Sequence, residues 1–328
     1  MTQFMGDQNT VGFLYSSGTY ATASGNSLNS FGLVQSHSPD DTVNVSAVRY
    51  TGTSDRNVGQ FVTTSKDYGG TIMYYPQDFK MAFFALGSTL DTSGTTSTHV
   101  ISETNNDDGN EMTGANSFAD FNLEDTHSVS GNAANAQRTY AGCVVDSWSI
   151  AGTEGDILSC DLSYRAQSVT YTSGNATSYT AATTAPFLFS DCKFHLESGT
   201  TTGYDKMTNF TFTINNNLLT RHYGDGTQLI GEPKPQNRDY DLSVTFDENS
   251  DIRKTLYETY FQGGSTFNCM LEINAASNSQ GFIIMSGCRL TADSVSTPNE
   301  GVTDESITIM PQTAVINSSD VVPLFTAW

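Results

Sequence analysis

The sequence predicts a mainly β protein built from two tandem β-barrel or β-sandwich domains related by internal duplication, each with one flanking α-helix. Three observations predict it. Apolar and polar residues alternate with period two in many runs, as in Phe210-Thr211-Phe212-Thr213-Ile214, Leu242-Ser243-Val244-Thr245-Phe246 and Ser306-Ile307-Thr308-Ile309, which is the pattern of strands with one buried face. The chain also matches itself at a fixed offset. Helical patterning occurs only twice, at corresponding places in the two copies.

The repeat is clearest where Val58-Gly59 faces Ile230-Gly231, Lys66-Asp67-Tyr68 faces Arg238-Asp239-Tyr240, Ile72 faces Val244 and Tyr74 faces Phe246, all at one constant spacing without a gap. Downstream, Gly87-Ser88-Thr89 faces Gly264-Ser265-Thr266 at a slightly longer spacing, because the second copy carries a short extra stretch in between. Ala141-Gly142-Cys143 is echoed by Ser286-Gly287-Cys288, and a Glu-Gly turn follows each, at Glu154-Gly155 and Glu300-Gly301.

Taken in order, residues 1–35 are polar and punctuated by Gly12, Gly18, Gly25 and Gly32, which reads as an amino-terminal arm. Residues 36–185 form the first β-domain. Its helix spans Tyr75 to Leu86, with Pro76 tolerated early and Gly87 as the stop. The first copy holds about 32 more residues than the second near 91–126, rich in Ser, Thr, Asn, Asp and Gly, either an exposed flap that meets a neighbour or a tolerated insertion. The second domain spans 186–314, with a helix from Asn249 to Phe261 capped by Asn249 or Ser250 and ended by Gly263. There Ile252, Leu256 and Tyr260 make an apolar stripe. Residues 315–328 form a carboxy-terminal tail. Both ends are candidates for contacts with neighbouring copies, or else frayed termini.

Composition narrows the function. Thirty-five acidic residues against fourteen basic ones give a net charge of −21, and only six of the basic residues are Lys. Such a chain does not grip nucleic acid, which requires clustered cations. The charge serves solubility, adaptation to high salt, or a surface that lets DNA pass without sticking. No run approaches the apolar length of a membrane helix, and the amino terminus lacks the pattern of a secretory signal, so synthesis in the cytoplasm is expected. Cys143, Cys160, Cys192, Cys269 and Cys288 contain no C-x-x-C pair and read as buried free thiols. His37, His99, His127, His195 and His222 form no ligand pair. Asp247-Glu248-Asn249-Ser250-Asp251 reads as helix capping rather than a calcium loop. No catalytic, cofactor-binding or metal-binding residue is assigned, and no cofactor is expected.

The run Asn209-Phe210-Thr211-Phe212-Thr213-Ile214-Asn215-Asn216-Asn217-Leu218, then Ile230-Gly231-Glu232-Pro233 and Arg238-Asp239-Tyr240, resembles the tail-tube proteins of tailed bacterial and archaeal viruses. The segment from Cys288-Arg289-Leu290 to Glu305-Ser306-Ile307-Thr308-Ile309 is similar too. The resemblance is good over 186–312 and weaker over 36–170. It implies a non-enzymatic virion protein whose edge strands pair with neighbours, so that six domains ring a β-walled channel for DNA ejection. With two domains per chain, a homotrimer supplies the six. The partners it implies are further copies of the chain, tape-measure, tail-terminator and distal tail proteins, with DNA passing unbound and no membrane span. The low-Lys, acidic composition also suits a virus of a salt-loving archaeal host. Two alternatives stand beside it: a tube-end or head-junction ring of the same fold, and an extracellular β-domain that binds cells or carbohydrate.

Overall fold

A computed structural model describes residues 9–15, 20–23, 25, 27–49, 58–92, 97–103, 120–127, 136–173, 178–180, 184–196, 203–204, 206–247, 255–275, 279–296 and 303–320. The strands in chain order are β1 (Asn9–Tyr15), β2 (Ser27–Asn29), β3 (Leu33–Pro39), β4 (Thr42–Val48), β5 (Gln60–Tyr75), β6 (Gly87–Thr92), β7 (Ser97–Glu103), β8 (Asp120–His127), β9 (Ala136–Thr153) and β10 (Ser159–Ala166). They continue as β11 (Ser168–Thr172), β12 (Ser178–Thr180), β13 (Cys192–Leu196), β14 (Gly203–Tyr204), β15 (Met207–Asn215), β16 (Asp239–Asp247), β17 (Phe267–Ala275), β18 (Ser279–Ser296), β19 (Asp304–Met310) and β20 (Thr313–Asp320). One α-helix, α1 (Lys80–Leu86), precedes β6, and a π-helix covers Thr255–Gln262. The fold is mainly β.

Two long strands organise it. The first half of β9 lies between β8 and β11, and its second half pairs with β10. Likewise the first half of β18 lies between β17 and β20, and its second half pairs with β19. Each long strand changes partners near a glycine with positive φ, 66° at Gly142 and 62° at Gly287. Only a residue without Cβ adopts that conformation cheaply, and in each case the backbone N–H is received by an asparagine across the ladder: Asn122 Oδ1 at 2.8 Å and Asn268 Oδ1 at 3.2 Å.

Strand register recurs between the two halves. Leu162 stands opposite Trp148 and Ile72, and Ile307 stands opposite Asp293 and Val244. Trp148 is thus to Asp293, and Leu162 to Ile307, what Gly142 is to Gly287. Bulges recur as well. An extra residue interrupts β9 at Asp146 and β18 at Thr291, and another interrupts β3 at Gln35 and β15 at Thr208. Phe121 pairs with Cys143 as Phe267 pairs with Cys288, and Leu123 with Tyr140 as Cys269 with Met285. Because a one-residue slip turns every side chain to the other face, agreement across this many pairs reflects one strand plan used twice.

That plan changes several expectations. Residues 9–35 are not an arm where they are described. Strand β1 pairs along β8, Phe13 opposite Leu123, just as β13 pairs along β17 with Leu196 opposite Cys269, and Phe13, Leu28 and Phe31 are fully buried. The interval 91–126 is not one exposed flap either. Asp120–His127 is strand β8, buried along almost its whole length, so the extra residues of the first half precede it. They include the hairpin β6–β7, whose second strand pairs with β20, Ile101 opposite Ile316. The boundary at 315 falls inside β20, and residues 321–328 lie outside those described.

Helix α1 begins at Lys80, later than expected. Asp78 accepts the Lys80 N–H at 3.0 Å, and Gly87, at φ 96°, ends the helix as expected. Every residue from Met81 to Leu86 is buried, which marks a helix enclosed on all sides. It sits between the halves: the Asn216 amide donates to the Ala85 and Val145 carbonyls at 3.0 and 2.9 Å, while Phe79 packs on Gly281. The second helix is the π-helix, and its expected capping run, 248–251, lies outside the described residues. Aromatic rings fill the first half's core, with Phe121 near Phe13, Phe31, Phe84 and Tyr164 at centroid distances of 6.1, 6.0, 5.0 and 6.4 Å.

Candidate assembly surface

The halves are joined by a ladder. The second half of β9 pairs antiparallel with β15, from Asn209 opposite Thr153 to Asn215 opposite Ser147, and merges β3–β5–β10–β9 with β15–β16–β19–β18 into one run of strands. Within this seam Trp148 stands opposite Ile214 and Ile150 opposite Phe212, all four buried. The Glu154 N–H donates to the Thr208 carbonyl at 2.9 Å and the Asn216 N–H to the Asp146 carbonyl at 2.8 Å. These bonds place the seam's hydrogen bonds on the even-numbered residues of both strands.

The run has two ends. At one, β3 pairs with β5 and has no second strand partner among the described residues. At the other, the second half of β18 pairs with β19 alone among the described residues. Open edges of this kind are ladders waiting for a partner.

A second exposed feature is the arm made by β4 and the first half of β5, Thr42 opposite Asp67 and Val48 opposite Gln60. It carries exposed apolar side chains at Val43, Val45, Val48, Phe61 and Val62, with Phe61 70 % accessible. The loop after β15 braces its base. Lys66 N–H donates to the Gln228 carbonyl at 2.9 Å, Gln228 Nε2 donates to the Thr63 carbonyl at 3.0 Å, and His222 Nε2 lies 3.1 Å from Asp67 Oδ1.

Several titratable side chains pair within the fold. His37 Nδ1 lies 3.0 Å from Asp125 Oδ2 and its Nε2 lies 2.8 Å from the Tyr164 hydroxyl. His127 Nε2 is 3.3 Å from the same Asp125 oxygen. Burial alone would push the Asp125 carboxyl up, but hydrogen bonds and charge from His37 and then His127 outweigh it and hold the group below its ordinary value. His195 pairs with Glu272 at 2.7 Å, and His99 is buried. Cys143, Cys160, Cys269 and Cys288 are buried and free, whereas Cys192 is half-buried. Among the described residues no group of three or more His, Cys, Asp or Glu can hold a metal ion, and no helix is long and apolar enough to cross a membrane.

Strand pairing brings together residues that the repeat alone did not single out. Pro39, on the outer edge of β3, is one. A proline within an alternating strand removes a ladder donor and belongs on an edge, which is the signal that marks this strand in the sequence.

No curated protein matches the chain. A solved structure of the SPP1 tail tube, an ensemble from solid-state NMR and cryo-EM, is 14% identical over 43% of this chain and 88% of its own, with a TM-score of 0.33, an overlap too loose to carry an argument. The family model described as phage tail tube protein matches residues 12–319. With nearly the whole length covered, the chain belongs to the phage tail tube protein family.

Proposed function

We propose that the chain is the subunit of a tail tube whose stacked rings enclose the channel for DNA ejection, and that each ring contains three chains. The recurring register carries this reading: each chain supplies two copies of one strand plan, joined edge to edge. We read that plan as an ancestral duplication, and three joined pairs make six quasi-equivalent domains around one axis. A net charge of −21 suits a conduit that DNA traverses without binding.

Rings are held to rings by the β4–β5 arm, where Phe61, Val43 and Val45 offer apolar surface that a free chain gains nothing by exposing. Negative-stain microscopy of the purified protein and of Phe61→Ser tests this. The parent forms hollow rods, and the variant forms single rings or markedly shorter stacks. Rods of unchanged length from the variant rule out the arm as the stacking contact. A parent protein that stays monomeric across salt and protein concentration overturns the tube reading, while rings that never stack favour a tube-end or head-junction ring.

A further inference from the structure

The internal seam specifies, residue by residue, how the two open edges would meet. Positions in β9 recur in β18 at the spacing that carries Gly142 to Gly287, and positions in β3 recur in β15 at the spacing that carries Gln35 to Thr208. Applied to the β9–β15 seam, these spacings convert its pairs from Thr211–Ala151 to Asn215–Ser147 into pairs between residues 292–296 of β18 and residues 38–42, which run from the end of β3 into β4. Thr211 opposite Ala151 becomes Ser38 opposite Ser296, and Phe212 opposite Ile150 becomes Pro39 opposite Val295. Ile214 opposite Trp148 becomes Asp41 opposite Asp293. Within one chain these two strands, the opposite ends of the run, do not pair with each other.

We propose that the ring closes through an antiparallel seam between the outer edge of β18 in one copy and the outer edge of β3 in the next, in this register. The proposal rests on the tube reading and adds to it the two edges, their direction and their alignment. Three features of the chain support it.

The first is the direction of the free backbone groups. The Asp40 N–H donates to the Gly69 carbonyl at 2.8 Å, so Ser36, Ser38 and Asp40 spend their backbone groups on β5. His37, Pro39 and Asp41 therefore turn theirs outward, at the positions equivalent to those that bond β9 within the chain. The second is burial. Pro39 and Val295 are both half-buried, while Ser38, Asp40, Ser294 and Ser296 are exposed, so the register joins like faces at these three pairs; Asp41 is exposed and Asp293 half-buried.

The third is the chemistry of the two seams. The internal seam is apolar and permanent, with Trp148, Ile150, Phe212 and Ile214 at its centre. Asp293, Val295, Pro39 and Asp41 hold the corresponding places in the open edges. A proline and charges are what keep an exposed edge from pairing indiscriminately. They also make the outer seam the weaker one: Pro39 accepts a hydrogen bond from the Val295 N–H but returns none, and Asp41 faces Asp293 as like charge. The hairpin β6–β7, which straps the internal seam by pairing with β20, has no counterpart among the described residues after the π-helix in the second half. Disassembly should thus release intact chains, broken at the outer seam.

The pair Ser38 and Ser296 lies between hydrogen-bonded rungs, where Cβ atoms approach closely enough for a disulfide. The test uses full-length Ser38→Cys and Ser296→Cys, assembled separately and as an equal mixture, then oxidised and run without reductant beside the parent with its native cysteines. The mixture is expected to give a covalent dimer that neither single variant gives. The double variant should give a ladder ending at three chains. Hydrogen exchange on the unmodified protein provides the second reading, with the Val295 amide slowed at least tenfold on assembly. If rods form but no Ser38–Ser296 cross-link appears and Val295 exchanges unchanged, the seam is wrong and the tube reading stands. If Ser38→Cys links better to Ser294→Cys, the register is wrong. A protein that never assembles overturns both.

Discussion

Gly142 and Gly287 do the same job in the two halves, but their surroundings differ, and the difference is measurable. A Cβ on Gly142 would lie 2.8 Å from the Tyr20 ring and 2.9 Å from the Ala21 Cβ, whereas on Gly287 it would meet chiefly the Gln312 side chain. Both positions impose left-handed strain on alanine, about 1–2 kcal/mol. Gln312 can swing away, and the packed Tyr20 segment cannot. Gly142→Ala is therefore expected to destabilise by about 1–3 kcal/mol more than Gly287→Ala, read from urea unfolding; equal costs would show that the Tyr20 segment yields. Asp125 makes a second prediction. Its folded pKa lies below its ordinary 3.8, so its contribution is present above that value and is lost as pH falls through the folded one. Asp125→Asn should lower stability at neutral pH by about 1–3 kcal/mol, and should make unfolding less steeply pH-dependent below pH 3.8. An unchanged acid profile would mean that His37 gains nothing from the carboxylate.

Strands, helix and seam carry the next level. Asn216, just past the end of β15, is buried, donates to the Ala85 and Val145 carbonyls and accepts from Arg238 Nε at 2.7 Å. It links α1, β9 and the second half. Replacing it with alanine removes three hydrogen bonds, and Asn216→Ala should cost about 1–3 kcal/mol and loosen the contact between the halves; limited proteolysis that separates them while each half stays folded would be the mark of this role. Much of this level is legible in the sequence. Alternation locates β15, β16 and β19, and the pair Gly142 and Gly287 emerges from the repeat because a backbone requirement keeps its residue type. What is not legible has physical causes. Strand β1 hides because Asn9-Thr10-Val11-Gly12 reads as a polar, glycine-marked stretch until β8 is present to pair with it. Strand β8 hides because it carries Asn122 and Glu124, buried polar residues that resemble loop composition. Edges cannot be read from alternation at all, since an edge is defined by what is missing beside it. Pro39 is the local exception.

At the scale of the whole molecule, the two ends of one strand run differ in kind from the seam in its middle. In the proposed assembly, polar and partly blocked edges disfavour indiscriminate pairing, so a chain pairs only with a copy that presents the matching edge. High negative charge adds mutual repulsion between chains that salt relieves. On the proposed ring of three chains, two copies of one plan per chain make the geometry pseudo-sixfold and place the insert hairpin β6–β7 on alternate domains only. Cryo-electron microscopy of assembled rods, with the symmetry determined independently by native mass spectrometry of released rings, tests this most directly. The account predicts three chains of 35.4 kDa per ring and six similar domains, every second one carrying the extra hairpin. Rings of six full-length chains would contradict it.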